Sequence, residues 1–140
     1  MSSQGLEVID QTVHLTHEWI NELAERVGYA SKRSTLRLLR TVLHLLRDRL
    51  PQDEMAQFSA QLPLLIRGIM FEGWQPKLLP KTSLKLEPTI LDAMQDTAEF
   101  RGPEDVRYVF DLLNVRISRG EIEDVRACLP EEMREYWKAP

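Results

Sequence analysis

The chain has 140 residues, 43% of them hydrophobic and 29% charged, with 18 basic and 22 acidic side chains and a formal charge of −4. Apolar content this high at so small a net charge excludes intrinsic disorder, and 6 glycines with 8 prolines exclude collagen-like or linker composition. A single cysteine, Cys128, excludes an internal disulfide framework and a multi-cysteine zinc site. The expected location is cytoplasmic and no membrane partner is expected, because no basic leader precedes the first apolar residues and no apolar run reaches the ~18 residues that span a bilayer.

Strict alternation is absent and helical periodicity recurs between Pro and Gly punctuation, so the chain reads as all-α. A first helix is expected from about Ile9 to Val27, where Leu6, Ile9, Val13, Thr16, Ile20, Leu23 and Val27 repeat at 3-4 spacing and Gly28 supplies the stop. Ser31 or Ser34 caps a second helix, with Leu36, Leu39, Leu43, Leu46 and Leu50 on one face, until Pro51 ends it. Leu38, Val42 and Leu45 make this helix apolar on more than one side, which places it at the centre of the core. Two shorter helices open at Pro51 and Pro63, prolines at first-turn positions whose missing N–H costs nothing. From Gly73 to Glu87 the pattern gives way to a connector rich in proline and lysine. Pro88 opens a helix through about Glu99, Gly102-Pro103 begins the next through Ile117, Gly120 separates it from Glu121–Cys128, and Pro130 starts the last.

An internal repeat organises these elements. Shifting the chain by 67 residues brings 36–63 onto 103–130 without a gap, and 9 of 28 positions are identical, among them Arg40/Arg107, Arg49/Arg116, Glu54/Glu121, Leu62/Leu129 and Pro63/Pro130. Leu39, Leu43, Leu46 and Leu50 fall on Val106, Phe110, Leu113 and Ile117. The expectation is about eight helices in two tandem pseudo-equivalent helical bundles forming one domain over 1–140, with repeats at about 16–75 and 87–138 and a connector at about 76–86. Charge follows the same division: residues 1–29 carry one basic and five acidic side chains, 30–85 ten and four, 86–140 seven and thirteen.

At these residues the sequence resembles the bacterial domain of unknown function 2267 family, whose repeat runs Ala-Glu-x-x-Gly, a long helix, an Arg-Leu or Arg-Ile step, Ser-x-Gly-Glu-x-x-Asp-Val/Leu, then Leu-Pro and a closing helix. Here the second copy carries Arg116-Ile-Ser-Arg-Gly-Glu-Ile-Glu-Asp-Val-Arg-Ala-Cys-Leu-Pro130, and the first carries Leu23-Ala-Glu-Arg-Val-Gly28 and Ala60-Gln-Leu-Pro63, departing at Pro51 and Asp53. The resemblance covers most of 16–137. It implies an all-helical tandem fold and names no activity.

The long helix of copy one carries Arg33, Arg37, Arg40, His44 and Arg47 at 4-3-4-3 spacing, one basic stripe beside the leucines. Three readings fit: a solvated face, a surface that pairs with an acidic partner (residues 86–140 or a second copy, so a homodimer is one option), or a phosphate-backbone contact. Nucleic acid is disfavoured, because no aromatics interleave and no binding motif is present. On the first helix Glu7, Asp10, His14 and His17 share a face at 3-4-3 spacing and are candidate metal ligands; one helix rarely closes a site, and an exposed flank is the plainer reading. No cofactor and no catalytic residue is expected: hydrolase elbow, phosphate loop and His-Glu-x-x-His are all missing, and Cys128 between Ala127 and Leu129 reads as a buried thiol. Arg49 and Arg116, five residues before Glu54 and Glu121, are expected to form ion pairs that fix a helix corner, with an anion site as the alternative. Trp74 and Trp137, beside Phe71 and Tyr136, seal the bundle ends or form an aromatic patch for a partner. The reading is a non-enzymatic protein-interaction or regulatory module. Its alternatives are a small helical-bundle metal-binding protein or enzyme using His14 and His17, and a nucleic-acid binder through the stripe.

Overall fold

The computed structural model describes residues 5–76 and 85–140, and the larger part of the expected connector lies outside them. Among the described residues the chain is all-α: α1 (Glu7–Val27), α2 (Lys32–Arg49), α3 (Gln52–Ser59), α4 (Leu64–Met70), α5 (Leu86–Ala93), a 3-10 turn (Pro103–Asp105), α6 (Val106–Arg116), α7 (Arg119–Cys128) and α8 (Glu131–Tyr136).

Local chemistry explains most of the boundaries. Gly28 takes the left-handed conformation (φ 80°) and its N–H closes on the Ala24 carbonyl, which stops α1. The Ser31 hydroxyl accepts from the Ser34 N–H at 3.1 Å and caps α2, which runs until Pro51 forces Leu50 into extended backbone. Pro63 and Pro130 cap α4 and α8 in the same extended conformation.

Two boundaries differ from the sequence reading. The helix after the connector begins two residues before Pro88 and ends at Ala93 instead of Glu99, because the chain turns there through Asp96 in a left-handed conformation (φ 63°). Nor does Gly120 separate two helices. It lies inside the first turn of α7, whose cap is Ser118, accepting from the Glu121 N–H at 3.3 Å.

The core centres on α1, α2 and α6, which pack mutually, with α4 and α5 laid against α2, α8 against α6, and α3 against α7. α2 is the central helix, as its broad apolar face requires: Leu38, Leu39, Val42, Leu43 and Leu46 are fully buried. Its threonines satisfy their hydroxyls locally, Thr35 donating to the Ser31 carbonyl and Thr41 to that of Arg37. At the offset of 67 the buried positions recur: Leu43 and Phe110, Leu62 and Leu129, Ile66 and Met133, Met70 and Trp137 are all in the core. Trp137 stacks on Phe110 (centroids 4.5 Å apart) and its Nε1–H donates to Asn114, whereas Trp74 is half-buried, edge-on to Phe71.

Buried polar side chains tie segments distant in sequence. The Tyr29 hydroxyl donates to Asp105 at 2.7 Å, and Asp105 also accepts the Arg101 N–H. The Glu99 carboxylate takes the Ala30 and Ser31 N–H groups at 2.6 and 2.8 Å, so the loop after α5 clamps the entrance to α2.

Candidate functional site

Four of the five stripe residues line a groove of about 550 Å3 between α2 and α5. Arg33, Arg37, Arg40 and His44 form its α2 wall, Leu36 and Leu45 add apolar surface, and Thr89 and Ala93 of α5 face them. The 3-4 spacing along α2 puts the cationic residues on the helix edge next to the buried leucines, so the groove is basic along one side and partly apolar within.

The stripe residues are held differently. Arg37 donates its Nε–H to the Ala93 carbonyl, the C-terminal end of α5, at 3.0 Å. Arg40 pairs with Glu72 at 2.9 Å on a half-exposed surface. Neither meets a carboxylate from 86–140, contrary to the expected pairing of the basic face with the acidic C-terminal half. Arg33 is exposed and makes no hydrogen bond or ion pair with a described residue.

His44 Nε2 donates to the Ile69 carbonyl at 2.8 Å; burial, with Arg47 nearby, pushes its pKa below the ordinary imidazole value, so the ring is neutral at pH 7. Arg47 turns inward instead of lining the groove. It is buried, paired with Asp48, and its Nη1 donates to the Met70 and Glu72 carbonyls beyond the end of α4. The cationic face therefore rests on Arg33, Arg37 and Arg40.

The α1 candidates stay apart from any such enclosure. His14 is exposed and pairs with Glu18 one turn on, at 3.2 Å, and His17 is exposed. Asp10 is half-buried with one carboxylate oxygen lacking a hydrogen-bond partner. The three possible metal ligands that the described residues do bring together are Glu54, Glu121 and Asp124, at the facing starts of α3 and α7.

That grouping corrects the expected corner ion pairs. Arg116 reaches across to Glu22 on α1 at 2.7 Å, and Glu121 faces Glu54, its counterpart 67 residues away. Burial alone would raise the Glu22 pKa; hydrogen bonds from Arg116 and Arg26 outweigh it and bring the carboxyl below its ordinary value. Arg49 is buried, with its Nη1 donating to the Leu45 carbonyl. Cys128 is half-buried at the rim of the core, and burial together with the surrounding carboxylates pushes its thiol pKa up, away from nucleophilic use.

Among the described residues no helix is long and apolar enough to cross a membrane. No curated protein matches the chain. The profile of a family described as an uncharacterized conserved protein (DUF2267) matches residues 16–136, and the chain belongs to that family.

Proposed function

We propose that the protein is a non-enzymatic binding module of the cytoplasm that receives an acidic segment of a partner protein in the α2–α5 groove. The observation that carries this reading is the groove itself: three guanidinium groups along one wall of a 550 Å3 concavity whose interior is partly apolar. Lining one edge of α2 with arginines costs repulsion of a few tenths of a kcal/mol for each adjacent like pair, which an acidic occupant offsets. An acidic peptide with apolar side chains at alternate or helical spacing supplies both complements, carboxylates for the wall and surface for Leu36 and Leu45. A polyphosphate backbone supplies only the first, and the chain's −4 charge repels it.

Selection from a displayed random-peptide library tests this directly. Wild-type protein should enrich peptides rich in Asp and Glu, and Arg33→Glu with Arg40→Glu should abolish the enrichment while leaving the helical circular dichroism unchanged. Bound acidic peptides should weaken about tenfold or more in affinity as salt rises from low to high ionic strength. Enrichment of neutral or basic peptides, or tight binding of mixed-sequence DNA by the same face, would overturn the reading.

A further inference from the structure

The facing starts of α3 and α7 hold three carboxylates that the groove does not use. Glu54 and Glu121 are each the third residue of their helix, the position from which glutamate ordinarily reaches back to the N–H of the capping residue. Neither side chain has that partner here. Pro51, the cap of α3, carries no N–H, and the Ser118 N–H is taken by Gln61 at 2.8 Å.

The two glutamates turn toward one another instead, and Asp124 joins them from the next turn of α7. One ligand atom from each of the three lies within 4.8 Å of the others. Glu121 is only 8% exposed, and its Oε2 and that of Glu54 are buried without a hydrogen-bond partner. Asp124 is exposed, which leaves one side of the cluster open to solvent. Burial, and then the facing Glu54, pushes the Glu121 carboxyl up to about 8, the sign of a site short of positive charge.

We propose that Glu54, Glu121 and Asp124 form a binding site for a hard divalent cation of the calcium, magnesium and manganese class, which ties the N-terminus of α3 to that of α7. A proton shared between the two glutamates would satisfy one oxygen of each and leave Asp124 outside the bond. A cation takes an oxygen from all three and completes its shell with water from the open side. The donors are all carboxylate oxygens, with no histidine, and the Cys128 thiol nearby is held protonated, so the set suits oxygen-seeking ions over zinc or copper. At this point α3 meets α7, and the paired Gln61–Ser118 hydrogen bonds already join the two segments, so a bound cation strengthens the joint between the two halves of the chain.

Thermal unfolding of the chelator-treated full chain at pH 7.5, titrated with calcium, magnesium or manganese chloride up to about 10 mM, tests the proposal. At least one ion should raise the midpoint saturably, by about 5 °C. Glu121→Gln, which keeps the side-chain shape, should abolish the shift while melting no lower than the metal-free wild type. Asp124→Asn, at an exposed position, should raise the half-saturating concentration about tenfold or more, and manganese should broaden amide resonances selectively at 53–57 and 119–126. If no ion moves the midpoint, or if the shift survives both substitutions, the cluster is a proton-bridged carboxyl pair and the proposal fails.

Discussion

Arg47 and Asn114 stand 67 residues apart in the chain and play the same part: each donates a side-chain N–H to backbone carbonyls just past the helix that closes its half of the sequence. Arg47 reaches the Met70 and Glu72 carbonyls, and Asn114 reaches that of Lys138 at 3.0 Å. A closing helix ends in carbonyls with no intrahelical partner, and a donor from the long helix beneath satisfies them. The basic character of Arg47 thus serves the fold, and the groove keeps only the three arginines before it.

Truncating these two donors should cost unequal amounts. Arg47→Ala strips a buried charged donor from two carbonyls and strands Asp48, so a loss of about 3 kcal/mol is expected. Asn114→Ala should cost about 1 kcal/mol, since its bonds are neutral and partly exposed. Urea denaturation of the two variants measures both, and equal losses would contradict the assignment.

Leu43 and Phe110 occupy corresponding, fully covered places in α2 and α6. Leu43→Ala should lower stability by about 2–5 kcal/mol and Phe110→Ala by about 3–5 kcal/mol. Because Phe110 stacks on Trp137, the second substitution should also shift the tryptophan emission of the folded state, a change the first should not produce.

The Glu121 carboxyl makes the metal-free protein sensitive to pH. Its folded pKa of about 8 lies above the ordinary 4.5, so the protonated form stabilises the fold. That contribution is complete below about pH 4.5 and is lost as pH rises through 8, at no more than about 1.4 kcal/mol per pH unit. Stability measured in chelator across this window should fall for wild type and stay flatter for Glu121→Gln.

Tyr29 donates to a buried carboxylate, and burial together with that bond raises its pKa far above the ordinary phenol. Tyr29→Phe should cost about 1–3 kcal/mol, because Asp105 keeps only the Arg101 groups as donors. By contrast His14→Ala with His17→Ala should move the thermal midpoint by no more than the equivalent of about 0.5 kcal/mol, both side chains being exposed. A large loss there would show that the α1 face has a structural role.

How far the sequence reached depends on which interactions repeat along the helix and which cross between helices. The 3-4 apolar stripes, Ser31, Gly28 and the capping prolines determined the helices and their buried faces, because each acts within a turn or two of backbone. The same local spacing put Arg33, Arg37, Arg40 and His44 on one edge of α2, so the wall of the groove was legible; its opposite side, Ala93 and Thr89, was not, since α5 follows a segment with no periodicity. Arg47 was indistinguishable from its neighbours by spacing, and only the placement of the α4 terminus beneath it drew the guanidinium inward. The clearest departure is at the corners, where proximity in sequence suggested Arg116 with Glu121. Packing instead gave Arg116 to Glu22 on α1 and set Glu121 against Glu54, because α1 crosses α6 and α3 crosses α7, and the energy of a charge depends on which partner the crossing helices bring to it.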